Sequence, residues 1–120
     1  MDLDKRQPSE AAVPPVDRRR FPRVSVQVQI ELHQQGSNVP LRTETTDLSR
    51  GGCYIQLMTT LAVGTYVTAR LWLGDSALRF RGRVVTRHPQ FGNGIMFLEF
   101  EGDGEQALAR YLDAMIASEN

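Results

Sequence analysis

The chain has 120 residues, room for one domain around one hydrophobic core. Its hydrophobic share of 41% and charged share of 23% are ordinary for a globular protein, and 14 Lys and Arg against 14 Asp and Glu leave no net charge to draw it to nucleic acid or to an acidic membrane. A single cysteine, Cys53, excludes an internal disulfide framework and a cysteine-rich zinc site; no apolar run approaches the roughly 20 residues of a membrane span and no secretory signal is read, so a cytoplasmic protein is expected.

The first stretch, 1–17, is polar, carries Pro8, Pro14 and Pro15, and has neither helical nor strand periodicity, so it is expected to form a disordered N-terminal tail. Arg18, Arg19, Arg20 and Arg23 follow at once, interrupted by Phe21 and Pro22. From Val24 the pattern is that of a half-buried strand. Val24, Val26, Val28, Ile30 and Leu32 alternate with Ser25, Gln27, Gln29 and Glu31. Gly36-Ser37-Asn38 marks a turn, and Val39–Thr46 returns as a second strand.

Four more strands are predicted. Cys53–Met58 is apolar and partly β-branched. Tyr66–Leu73 sets Val67, Ala69, Leu71 and Leu73 on one face and ends at a Gly74-Asp75 turn. Ala77–Arg87 alternates Leu78, Phe80 and Val84 with Arg79, Arg81 and Arg83, which read as the wet face of a strand that discourages edge-to-edge association. Gly94–Phe100 sets Ile95, Phe97 and Glu99 against Met96, Leu98 and Phe100, apolar on nearly both sides. After it, Asp103 and Gln106 stand at the spacing of a capping box. Ala107, Leu108, Tyr111, Leu112, Met115 and Ile116 then repeat at helical spacing. The expectation is a mainly β domain over 18–120: a small six-stranded antiparallel β-barrel over about 24–100, closed by a C-terminal α-helix over about 104–117.

Two short motifs carry the functional signal. Arg18-Arg19-Arg20-Phe21-Pro22-Arg23 contains an Arg-x-x-x-Arg spacing at Arg19 and Arg23, and Asp47-Leu48-Ser49-Arg50-Gly51-Gly52 reads Asp-x-Ser-x-x-Gly. Each taken alone has a plainer meaning: a solvated charge run for the first, a turn with local side-chain caps for the second. Together, about two strands apart and with a late Gly-x-x-Phe at Gly94 and Phe97, they resemble the PilZ domain family over nearly the whole chain from Arg18 to the terminal helix.

That resemblance implies a ligand, the bacterial second messenger cyclic di-GMP, bound on the outer surface of the barrel with the Arg-bearing tail folded over it. The site it implies is Arg18, Arg19, Arg23, Asp47, Ser49, Arg50, Gly51 and Gly52. The chemistry of these residues suits the ligand. A guanidinium pairs with phosphate oxygens, stacks on a base and reaches the guanine O6 and N7 acceptors in bidentate fashion. Asp47 can accept from the guanine N–H groups, Ser49 adds a hydroxyl, and Gly51 and Gly52 open the main chain to close approach. Within this family, an arginine just before the Arg-x-x-x-Arg spacing goes with a stacked pair of ligands. Arg18 therefore implies two cyclic di-GMP molecules per chain.

No catalytic constellation is present. The chain has no Walker-type phosphate loop, nucleophile elbow or His-Glu-x-x-His pattern, and Asp47 has no evident acid partner. His33 and His88 have no partner at metal-ligand spacing, and Cys53 reads as a core residue. The expected role is therefore a receptor or adaptor without enzymatic activity or a cofactor, whose liganded surface docks on a downstream protein. It is expected to act without nucleic acid and without membrane insertion, as a monomer or a homodimer. Two alternatives are a PilZ-like interaction module that binds no ligand and a small barrel for single-stranded nucleic acid. The second would need aromatics along a strand face, for which Tyr66 and Trp72 are the candidates.

Overall fold

The computed structural model describes residues 21–119; the expected tail over 1–17, and Arg18, Arg19 and Arg20, lie outside them. Strands β1 (Val24–Ser25), β2 (Gln29–Gln34), β3 (Leu41–Leu48), β4 (Gly52–Gln56), β5 (Tyr66–Leu73), β6 (Ser76–His88) and β7 (Gly92–Phe100) precede helix α1 (Gly104–Glu119). They are hydrogen-bonded in the order β1-β3-β2-β5-β6-β7-β4, and β4 returns to β3. Every pairing is antiparallel. β2 to β7 thus close the six-stranded barrel that the strand pattern predicts, and β1 is a two-residue addition beside β3.

That addition corrects one expectation. The single strand read from Val24 to Leu32 divides into β1 and β2, with Val26 to Val28 between them. Thr45, fully buried on β3, explains the break. Its hydroxyl donates to the Val26 carbonyl at 2.7 Å and accepts the Val28 N–H at 3.1 Å. A side chain thus takes over ladder positions that a neighbouring backbone would otherwise fill. The pairing of β3 with β4 slips at the same place, between Thr45 and Asp47.

Period-two alternation builds the interior elsewhere. Val67, Ala69, Leu71 and Leu73 of β5 are buried, as are Leu78, Phe80 and Val84 of β6. Arg79, Arg81 and Arg83 face outwards. Arg81 pairs with Glu99 at 3.0 Å, and Arg83 lies 5.6 Å over the Tyr66 ring. On β7 the alternation is imperfect, because its pairing with β6 shifts at Arg81/Gly82 and at Val84/Thr86. Phe97 and Phe100 consequently both reach Phe80, with ring centroids 4.6 and 6.0 Å away.

Leu108 and Leu112 bring α1 into the barrel's hydrophobic cluster, flanked by Ala107, Tyr111, Met115 and Ile116. The helix touches β6 and β1. Asp103 stands just before its first residue, where its carbonyl accepts the Ala107 N–H at 3.0 Å. The side-chain capping box with Gln106 is not formed. No helix among the described residues is long and apolar enough to cross a membrane.

Candidate functional site

Asp47 and Leu48 end β3, Ser49-Arg50-Gly51 turns, and Gly52 starts β4. The turn is fixed by its own hydrogen bonds. The Ser49 N–H donates to the Gly52 carbonyl at 2.9 Å. The Ser49 Oγ accepts the N–H groups of Gly51 at 3.1 Å and Gly52 at 3.2 Å, and its proton points to the Gly52 carbonyl, 3.3 Å away. A hydroxyl has one donor and two acceptor lone pairs, so Ser49 is fully engaged inside the loop. Its position matches the motif, and its work is to shape the main chain around the two glycines.

Gly52 meets a steric limit. It pairs with Met96 of β7, and a Cβ there would overlap the Ile95 carbonyl oxygen. Only glycine lets β4 and β7 approach this closely. The Gly51 carbonyl accepts the Phe97 N–H at 2.9 Å, so the C-terminal end of the turn is tied to β7. Asp47 is held between Ser25 of β1 and Tyr54 of β4.

A cleft of about 710 Å³ opens beside this turn. It brings together Arg23, Asp47, Ser49, Gly51 and Gly52, the described residues of the expected site except Arg50, which is exposed and does not line it. Arg18 and Arg19 lie outside the described residues. Gly94 and Phe97, the late Gly-x-x-Phe, also line the cleft. The strand ends therefore gather a cation, a carboxylate and a tight half-buried glycine turn over an apolar floor. Val85 and Met96 supply that floor and remain 47% and 40% exposed.

Sequence reasoning missed Val85, Met96, Tyr54 and His88, which line the same cleft. The signal available was alternation: Tyr54 stands between inward Cys53 and Ile55, so it must face outwards beside the Asp47 loop. Cys53 is buried as expected. Burial, reinforced by the negative charge of Asp47, pushes its thiol from 9.0 up to about 12. Among the described residues, no three His, Cys, Asp or Glu side chains converge to hold a metal.

Residues 17–114 match the family model described as PilZ domain. The chain belongs to the PilZ domain family. The match runs from before Arg18 into α1 and so takes in both motifs and every strand of the barrel. No curated protein sequence matches the chain. Among solved structures, the PilZ domain of YcgR from Escherichia coli with c-di-GMP is similar at 19% identity with a TM-score of 0.62, over 85% of this chain and 94% of that one. The PilZ domain of CeSA from a cellulose-synthesizing bacterium is similar at 20% identity and a TM-score of 0.55, over 82% and 98% of the two chains. The Bacillus subtilis inhibitor of motility MotI/DgrA is 15% identical with a TM-score of 0.60; the similarity covers 83% of this chain and half, 50%, of that one. At these identities the likeness to the three structures is one of fold, and it is the PilZ barrel.

Proposed function

We propose that this PilZ domain is a receptor for cyclic di-GMP that acts by binding and not by turnover. The observation that carries the reading is the cleft that Arg23, Asp47 and the Ser49–Gly52 turn line together above an apolar floor. A dinucleotide needs those three things together: a cation for its phosphates, an acceptor for the guanine N–H edge, and apolar surface for its bases. The YcgR domain of the same fold is described with c-di-GMP bound.

In this reading Arg19 and Arg23 clamp phosphate or guanine, Arg18 stacks on or neutralises a second ligand molecule, and two molecules bind per chain. Asp47 accepts from a guanine edge. Ser49 holds the turn compact so that the glycines leave room for the ligand beside Asp47, and exposed Arg50 lends a charge at the turn. Segment 1–17 is a tail, 18–120 is the domain, and ligand orders the arginines over the barrel. The composite surface then docks on a downstream protein in the cytoplasm, with no nucleic acid or membrane insertion required.

Amide chemical-shift mapping of the full chain against cyclic di-GMP tests the reading. Shifts gathered at Asp47, Gly51, Gly52 and Met96, with slowed exchange across 18–24, support it. Shifts confined to the Arg79–Arg83 face of β6 contradict it.

A further inference from the structure

Tyr54 and His88 stand on strands that are not neighbours, because β7 runs between β4 and β6. Their side chains nevertheless meet. The Tyr54 hydroxyl is 2.8 Å from His88 Nδ1, with ring centroids 5.7 Å apart and planes at 39°. Adjacent strands lie about 4.8 Å apart, so the pair bridges roughly 10 Å of sheet. A side chain standing upright from its strand does not cover that distance. The phenol therefore lies down across β7.

What lets it lie down is a missing side chain. Tyr54 is paired with Gly94 and His88 with Gly92. A Cβ on Gly92 would come within 2.8 Å of Tyr54 Cε1. The ring thus rests on bare main chain, pinned at its far end by His88, and both residues line the cleft that holds Asp47 and Arg23. A flat aromatic surface fixed at both ends is the geometry on which a purine stacks with little loss of side-chain freedom.

We propose that Tyr54 is a stacking platform for a guanine of the ligand and that His88 is the residue that positions it; this rests on the cyclic di-GMP reading. Tyr54 thereby marks out a base subsite on the β4–β7–β6 surface, apart from the arginines. The hydroxyl serves only to hold the ring flat, whereas the ring itself provides the contact.

The test is titration of the full chain with cyclic di-GMP by NMR and calorimetry, for the wild type, Tyr54→Phe, Tyr54→Leu and Asp47→Ala. Expected are nuclear Overhauser contacts between the Tyr54 ring protons and guanine H8 in the wild type. Tyr54→Leu should lose affinity roughly fivefold to a hundredfold, the span of one base–aromatic stack. Tyr54→Phe, which keeps the ring but frees it from His88, should show a smaller loss of roughly threefold, and no loss at all would overturn the positioning role of His88. The contact is read on unaltered protein, so it decides the matter even if Tyr54→Leu folds poorly. If wild type binds and Asp47→Ala does not, yet Tyr54 gives no contact and Tyr54→Leu binds normally, the platform is overturned and the receptor reading stands. If wild type fails to bind cyclic di-GMP, both are overturned.

Discussion

Arg23→Ala and Arg19→Ala are each expected to weaken cyclic di-GMP binding roughly tenfold to a hundredfold. Each removes a charge-assisted contact of about 1.5–3 kcal/mol, and about 1.4 kcal/mol is a factor of ten. Calorimetry checks this, and the fold should survive in Arg23→Ala because Arg23 is exposed; unchanged affinity in both variants contradicts the assignment. Asp47→Ala should lose affinity while Arg79→Ala does not, since Asp47 lines the cleft and Arg79 stands outside it. Equal damage from the two would put the ligand on the wrong face. Cys53 has a different signature. Its thiol keeps its proton to about 12 in the folded chain against 9.0 unfolded. That raised value favours the folded state fully below about pH 9, and the contribution is lost as pH climbs from there towards 12. Iodoacetamide at about pH 8 should therefore leave the folded protein unlabelled and modify it in urea. The two motif ends, Arg23 and Asp47 with Gly52, were legible in the sequence because each motif is local and the two occur together in this order. The part played by Ser49 was not, because whether a hydroxyl faces ligand or its own turn is decided by three hydrogen bonds that spacing does not reveal.

At the scale of strands and helix, alternation carried most of the fold. Tyr66–Leu73 has the same limits in sequence and structure, since Val67, Ala69, Leu71 and Leu73 alternate inwards and Gly74 follows with φ near +62°. The division of Val24–Leu32 was not legible, because Val26 and Val28 keep the period of two straight through the break. The cause lies at Thr45, about 20 residues away in sequence and met only when β3 folds against the segment. Thr45→Val keeps the shape and leaves the Val26 carbonyl and Val28 N–H without their partner. It should cost about 1–3 kcal/mol, read from urea unfolding, because both groups are only partly reachable by water. A variant as stable as wild type would mean that the hydroxyl does not hold the break together. The Tyr54–His88 pair was hidden for a related reason: sequence patterns report which side of a strand a residue faces, not which strand lies two places across the sheet.

For the whole molecule, the pairing of β1 with β3 brings the ends of two distant motifs to one cleft. β1 follows Arg23 directly and lies against β3 at Asp47 and Leu48, so the end of the arginine segment is delivered to the loop by strand pairing. In the proposed receptor reading, Arg18 sets how many ligand molecules are held. Two cyclic di-GMP molecules per chain are expected at saturation, falling to one in Arg18→Leu with the fold intact, because a ligand pair brings four phosphates together and needs the extra cation. The measurement that bears most directly on the receptor reading is calorimetric titration of the full chain with cyclic di-GMP, run beside GTP and a single-stranded oligonucleotide. Expected are saturable binding of cyclic di-GMP with two per chain, little heat from the other two, and loss of the signal in Asp47→Ala. Absence of cyclic di-GMP binding under conditions where GTP or the oligonucleotide binds would contradict the receptor reading.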